Sequence, residues 1–121
     1  MKRILLVFFA FLFCSTGIAQ LLTWTPSFPT ETSSPIVITV DATKGNLGLN
    51  NYATTSDVYI HTGVITSSST NTSDWRYVKF NQNFTSPNAS LQATYIGGNK
   101  WQFTITGGLR AYYGVPVGET I

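Results

Sequence analysis

Hydrophobic and polar positions alternate with period two at three places along the chain. Ile36, Ile38 and Val40 interleave with Val37, Thr39 and Asp41. Val58, Ile60, Thr62 and Val64 interleave with Asp57, Tyr59, His61 and Gly63. Trp101, Phe103 and Ile105 interleave with Gln102, Thr104 and Thr106. Successive side chains of a strand point to opposite faces, so each run predicts a half-buried strand, and the third is the cleanest. Two further strands are predicted at Trp75–Phe80 and Leu91–Ile96. Gly97-Gly98-Asn99 then joins the latter to the strand through Trp101, because these residues accept positive φ at low cost in a hairpin loop.

After residue 19 no helical period is sustained, although Leu109-Arg110-Ala111-Tyr112-Tyr113 can form one turn closed by Gly114 and Pro116. Residues 43–56 carry Gly45, Asn46, Gly48, Asn50 and Asn51. Residues 66–73 are only Thr, Ser and Asn, and residues 81–90 hold Pro87 among polar neighbours. All three are loops by composition. Pro26, Pro29 and Pro35 break the opening segment, so a first strand there is short and lies at an edge. Strands separated by turn clusters, with no intervening helix, predict an all-β chain of antiparallel sheets packed as an immunoglobulin-like sandwich.

The N-terminus reads differently. Lys2 and Arg3 precede the apolar run from Ile4 to Phe13, followed by small residues up to Ala19. This is the three-part layout of a cleaved secretory signal over residues 1–19, which places residues 20–121 outside the cell or on its surface. The run is about half the length a membrane span needs, so stable membrane insertion is not expected. Lipidation of Cys14 is the competing fate, and Phe13 before it suits that poorly.

Removing the signal changes the charge and the redox picture. The formal net charge is +2, and Lys2 and Arg3 account for all of it. Residues 20–121 are neutral, which argues against nucleic acid as a partner. They contain no cysteine, so the domain depends on its apolar core without disulfides. Their length suits one domain. Gly118-Glu119-Thr120-Ile121 resembles the approach to another strand, so the chain is read as a sandwich short of its last strand and the front of a longer protein.

Candidate chemistry is sparse. The single imidazole, His61, leaves Ser and Thr hydroxyls with one conceivable base, and no G-x-S-x-G turn is present. One His and no mature Cys do not make the usual zinc sets. Asp41, Asp57 and Asp74 lack the D-x-D-x-D-G spacing of a calcium loop, so no metal or cofactor is expected. Three asparagine sequons start at Asn71, Asn83 and Asn88 and matter only in a eukaryotic secretory route.

One constellation remains. If Val58, Ile60, Val78 and Phe80 point inward, Tyr59, His61, Trp75, Tyr77 and Lys79 point outward. Pairing of the two strands then makes an aromatic strip able to stack on sugar rings, while Lys79 or Asp57 bonds hydroxyls. The opposite facing makes Trp75 the core tryptophan, with Arg76 outward and Tyr77 under a loop, because a one-residue shift reverses every side chain.

Lys44-Gly45-Asn46-Leu47-Gly48-Leu49, Asp57 through Thr66, and Ser73-Asp74-Trp75-Arg76-Tyr77-Val78 resemble N-terminal immunoglobulin-like, E-set-like domains of secreted Bacteroidota proteins. Gly98-Asn99-Lys100-Trp101 and Leu109 through Pro116 extend the resemblance over roughly Pro26 to Ile121. The resemblance implies an immunoglobulin-like fold ahead of an alpha-amylase-type glycoside hydrolase or within another polysaccharide-handling surface protein. It also implies a further strand beyond Ile121, and it supplies no verified sugar-binding residue.

The expected role is therefore a non-catalytic accessory module of a secreted carbohydrate-active protein. Its partners would be a polysaccharide such as an alpha-glucan and a downstream catalytic domain in the same chain. The alternative is a structural or adhesive spacer without glycan affinity. Fold alone does not separate the two.

Overall fold

Trp101, Phe103 and Ile105 are the buried face of the longest hairpin, and the remaining elements assemble around that strand. The computed structural model describes residues 20–80 and 87–121. Residues 1–19, where a secretory signal is expected, with Cys14, the sequon Asn83-Phe84-Thr85 and most of the loop preceding Pro87 lie outside the described residues.

Among the described residues six strands are present: β1 Leu22–Thr25, β2 Ile36–Asp41, β3 Thr62–Val64, β4 Arg76–Lys79, β5 Thr94–Gly97 and β6 Lys100–Ile105. A 3-10 turn spans Ala89–Leu91, and one short helix, α1, spans Leu109–Tyr113. The order β1-β2-β6-β5 makes a four-stranded antiparallel sheet, and β3 pairs antiparallel with β4 in a second sheet. Over the described residues the architecture is all-β and sandwich-like, with one turn and a half of helix. Among the described residues no helix is long and apolar enough to cross a membrane.

The alternation in the sequence becomes the core. Ile36 of β2 pairs with Ile105 of β6, and Ile38 pairs with Phe103. Cross-strand partners share a face. That face meets Val64 of β3, Tyr113 of α1 and Val115, with Ile60 and Tyr77 packed alongside. A second cluster joins Trp101 to Ala42, Val58 and Ala93, with Leu49 against it. Burying Phe103 and Ile105 stabilises the fold by about 1.5–3 kcal/mol each.

The predicted punctuation holds at both tight turns. Gly98 and Asn99 have φ of 59° and 57°, giving the two-residue turn whose twist matches a hairpin. Gly114, in the left-handed region, ends α1 and donates its amide to the Arg110 carbonyl. β1 is short and lies at a sheet edge, as the prolines around it require.

The predicted strand over 57–64 divides in two. Residues 58–60 pair with 91–93, with Ala93 N donating to Val58 O at 2.8 Å and Ile60 N to Leu91 O at 2.9 Å. Only Thr62–Val64 pairs with β4. The segment thus hands over from one neighbour to the other at His61.

Asn99 fastens the long loop 43–56. Its Nδ2 donates to Asn50 Oδ1 at 3.0 Å and Asn51 Oδ1 at 3.2 Å, while its Oδ1 accepts from Asn51 N at 3.0 Å. Asn99→Gly keeps the left-handed turn and removes these bonds. We expect a stability loss of about 1 kcal/mol, and limited proteolysis should show faster cleavage within 43–56.

Candidate functional site

The face opposite the core on β3 and β4 carries a group of rings centred on His61. Extending the β3–β4 register places His61 opposite Phe80, because Thr62 pairs with Lys79. The two rings lie 5.2 Å apart at 35°. Trp75 meets His61 edge-on, at 6.0 Å and 81°. Trp75 is 50% exposed and Phe80 41% exposed. Beyond His61 the surface dips into a hollow of about 440 Å³ lined by Leu49, Tyr52, Asp57, Val58, Tyr59, Ile60, His61 and Phe80. Rings with open faces beside a few polar groups suit a ligand that is half apolar and half hydrogen-bonding.

The structure assembles this site from a different set of residues than simple alternation predicts. Tyr59, His61 and Trp75 reach the surface. Val58 is buried and Ile60 packs on the core, as expected. Tyr77, Val78, Lys79 and Phe80 are reversed, and the reason is a bulge in β4.

Val64 pairs with Arg76 and Thr62 with Lys79, so two residues of β4, Tyr77 and Val78, stand opposite the single residue Gly63. Tyr77 takes φ of 51°, unusual for a bulky side chain. The extra residue inverts the facing beyond it. Tyr77 turns inward against the core cluster. Lys79 shares the face of Thr62, whose hydroxyl meets Tyr113 Oη at 2.6 Å on the α1 side. Phe80 turns outward, and Val78 faces the same side as the α-carbon of Gly63. A Cβ at Gly63 would stand 3.3 Å from Val78 Cγ2, 3.3 Å from Trp75 Cβ and 3.1 Å from the Arg76 carbonyl. Trp75 is not the core tryptophan; Trp101, 1% exposed, fills that place.

Tyr77 is held by the segment after α1. Its Oη donates to Glu119 Oε2 at 2.6 Å, and the buried Thr66 hydroxyl donates to Glu119 Oε1. Ser67 N donates to the Thr120 carbonyl at 2.9 Å, which lays this segment along the residues following β3. The hydroxyls of Thr66 and then Tyr77 hold the Glu119 carboxyl below its ordinary value of 4.5. The same bond to Glu119, helped by desolvation, raises the Tyr77 phenol above 10.0.

These shifts set the acid behaviour. A carboxyl lowered by folding contributes stability above its unfolded value and loses it as pH falls through the folded one. Asp41, lowered chiefly by the Thr43 hydroxyl, and Asp74, lowered chiefly by the Thr70 amide, have the same sign. We expect the thermal midpoint to hold above about pH 4.5 and fall below it. The difference between wild type and Glu119→Gln should shrink across the same window in a pH series of melting curves.

Other chemistry is thin. Among the described residues no group of three His, Cys, Asp or Glu side chains gathers closely enough to hold a metal ion. The acids instead pair locally: Asp74 with Arg76 at 2.8 Å, Glu31 with Arg110 at 2.6 Å and Asp41 with Lys100 at 3.6 Å. His61, flanked by rings, has neither a neighbouring carboxylate ion pair nor a hydroxyl nucleophile among its described contacts.

No family model, curated protein or solved structure matches the chain.

Phe80, Tyr52 and Leu49 are the site residues that sequence reasoning missed. Phe80 was recoverable in principle, since Gly63 in the middle of a predicted strand marks a bulge or a close backbone approach. Tyr52 and Leu49 lie in the loop that Asn99 folds back, and no local pattern places them.

Proposed function

We propose that residues 20–121 act as an exported, non-catalytic accessory module that binds glycan weakly and serves a carbohydrate-active protein. The observation that carries this is the exposed ring group Trp75–His61–Phe80 opening onto the hollow lined by Tyr52, Tyr59 and Asp57. Flat apolar faces stack on the C–H side of a pyranose, and Asp57, His61 and the tyrosine hydroxyls provide hydrogen bonds to its rim. The neutral charge of residues 20–121 favours an uncharged ligand such as an alpha-glucan over a polyanion. The sandwich-like all-β architecture supports an immunoglobulin-like assignment and, with the family resemblance, a place ahead of a glycoside hydrolase domain. Catalysis would then belong to that downstream domain.

Affinity electrophoresis through gels containing starch and related glucans tests the proposal. Wild type should be retarded. Trp75→Ala and Phe80→Ala should each reduce the retardation by about tenfold, the effect of losing roughly 1.4 kcal/mol of stacking. Their melting temperatures should fall only modestly, because each ring is about half exposed. No retardation on any glucan, or retardation indifferent to both substitutions, removes glycan binding and leaves a spacer.

A further inference from the structure

Trp75 and Phe80 are five positions apart, an odd spacing that would put them on opposite faces of a regular strand. Both nevertheless stand beside His61. The bulge at Tyr77–Val78 supplies the extra residue that brings them to one side. A bulge with a tyrosine at φ of 51° is intrinsically costly, since a side chain beyond Cβ crowds the left-handed region. It persists only where the surroundings over-determine it.

Those surroundings are on the inner face. The Tyr77 ring packs against the core cluster and its hydroxyl is tied to Glu119, which also takes the Thr66 hydroxyl. Gly63 leaves room on the outer face, where any Cβ would crowd Trp75 Cβ and the Arg76 carbonyl. Glu119 belongs to the segment following α1, far from the ring group in sequence.

We propose that Tyr77 and Glu119 are positioning residues for the ring site: their hydrogen bond fixes the β4 bulge that places Trp75 and Phe80 on the same side as His61. The inference rests on the glycan-binding reading for its biological meaning and on geometry alone for its physical content. The site is thereby coupled to the segment after α1, so a change in how residues 116–120 are held alters the spacing of rings elsewhere on the surface. Arg76, adjacent to the bulge, contributes the nearby positive charge through its bond to Asp74 at 2.8 Å and to the Ser68 carbonyl at 3.1 Å.

The single histidine makes the test direct, because its ring protons are assigned without ambiguity in an NMR spectrum. Their shifts report the ring currents of Trp75 and Phe80 and need no ligand. Trp75→Ala and Phe80→Ala give the reference for lost neighbours. Tyr77→Phe, which keeps the ring and removes the hydroxyl, should move the His61 signals toward those references, with the Ile105 methyl signals unmoved. Glu119→Ala, which breaks the same bond from a segment outside the strands, should move them likewise and should weaken glucan retardation severalfold. His61 signals unchanged from wild type in either variant overturn the proposal, as does a movement of the Ile105 methyls as large as that of His61. If wild type shows no glucan retardation while His61 moves as expected, positioning stands and the glycan reading falls. If wild type is retarded and His61 does not move, the reverse holds.

Discussion

Trp101→Ala is expected to cost about 3–5 kcal/mol, within the range for removing a fully buried aromatic. The domain is expected to hold about 5–15 kcal/mol in total, so the variant should sit near the edge of folding. The indole is 1% exposed, and its Nε1 donates to the Thr55 carbonyl at 3.0 Å. Its immediate cluster contains Ala42 and Ala93, whose methyl groups cannot reach into the space it would leave. Tyr95, with its ring centroid 5.0 Å away, would lose its packing surface as well. The bond to Thr55 also ties the end of the 43–56 loop to β6, so the loop should loosen along with the core. Trp101→Phe restores most of the volume without the hydrogen bond and should recover more than half of the loss. Urea denaturation midpoints, with near-ultraviolet circular dichroism for side-chain order, measure both. A loss of less than about 1 kcal/mol for the alanine variant would contradict the packing described here.

Gly108→Ala is expected to cost about 3 kcal/mol although it only adds a methyl group, combining backbone strain with a lost hydrogen bond. Gly108 has φ of 85° and ψ of 157°, a region that side chains essentially do not enter. An added Cβ would stand 2.9 Å from the Glu31 carbonyl oxygen, which is backbone and cannot rotate away. That carbonyl accepts the Leu109 amide at 2.8 Å and so ties the start of α1 to the segment before β2. The Glu31 side chain reinforces the tie through Arg110, which also donates to the Pro116 carbonyl at 2.7 Å. Gly107→Ala is the control. Its φ is 80°, yet nothing lies within 4 Å of the position a Cβ would take. It should lose only the left-handed penalty of about 1 kcal/mol. Equal losses in the two variants, measured by chemical denaturation, would mean that contact with Glu31 plays no part.

Much of the fold was legible in the sequence because it depends on side chains that alternate and on turns that need particular residues. Ile36 and Ile38, and Trp101, Phe103 and Ile105, lie on the face that their period assigns. Gly98-Asn99 and Gly114 stand where positive φ was required. The opening prolines confine β1 to an edge. The candidate site was legible only in part. Period-two reasoning carries a facing along a strand until a bulge interrupts it, and β4 is interrupted at its second residue. Tyr59, His61 and Trp75 precede that irregularity or lie on other segments, and of the two facings the sequence allows they take the outward one. Tyr77, Val78, Lys79 and Phe80 fall at or after it and take the opposite facing. The bulge is set by the long-range contact of Tyr77 with Glu119, a separation of 42 positions, which no local window sees. Lys79 therefore stands on the face of Thr62, away from the rings, whereas Asp57, the other polar group expected beside them, lines the hollow.

β6 lends Trp101 to one apolar cluster and Phe103 and Ile105 to the other, and it lies between β2 and β5. Neither half of the interior can melt without disturbing this shared spine. Despite two separate patches of packing, cooperativity is built into a single strand, and the domain should lose its structure as one unit rather than by stages.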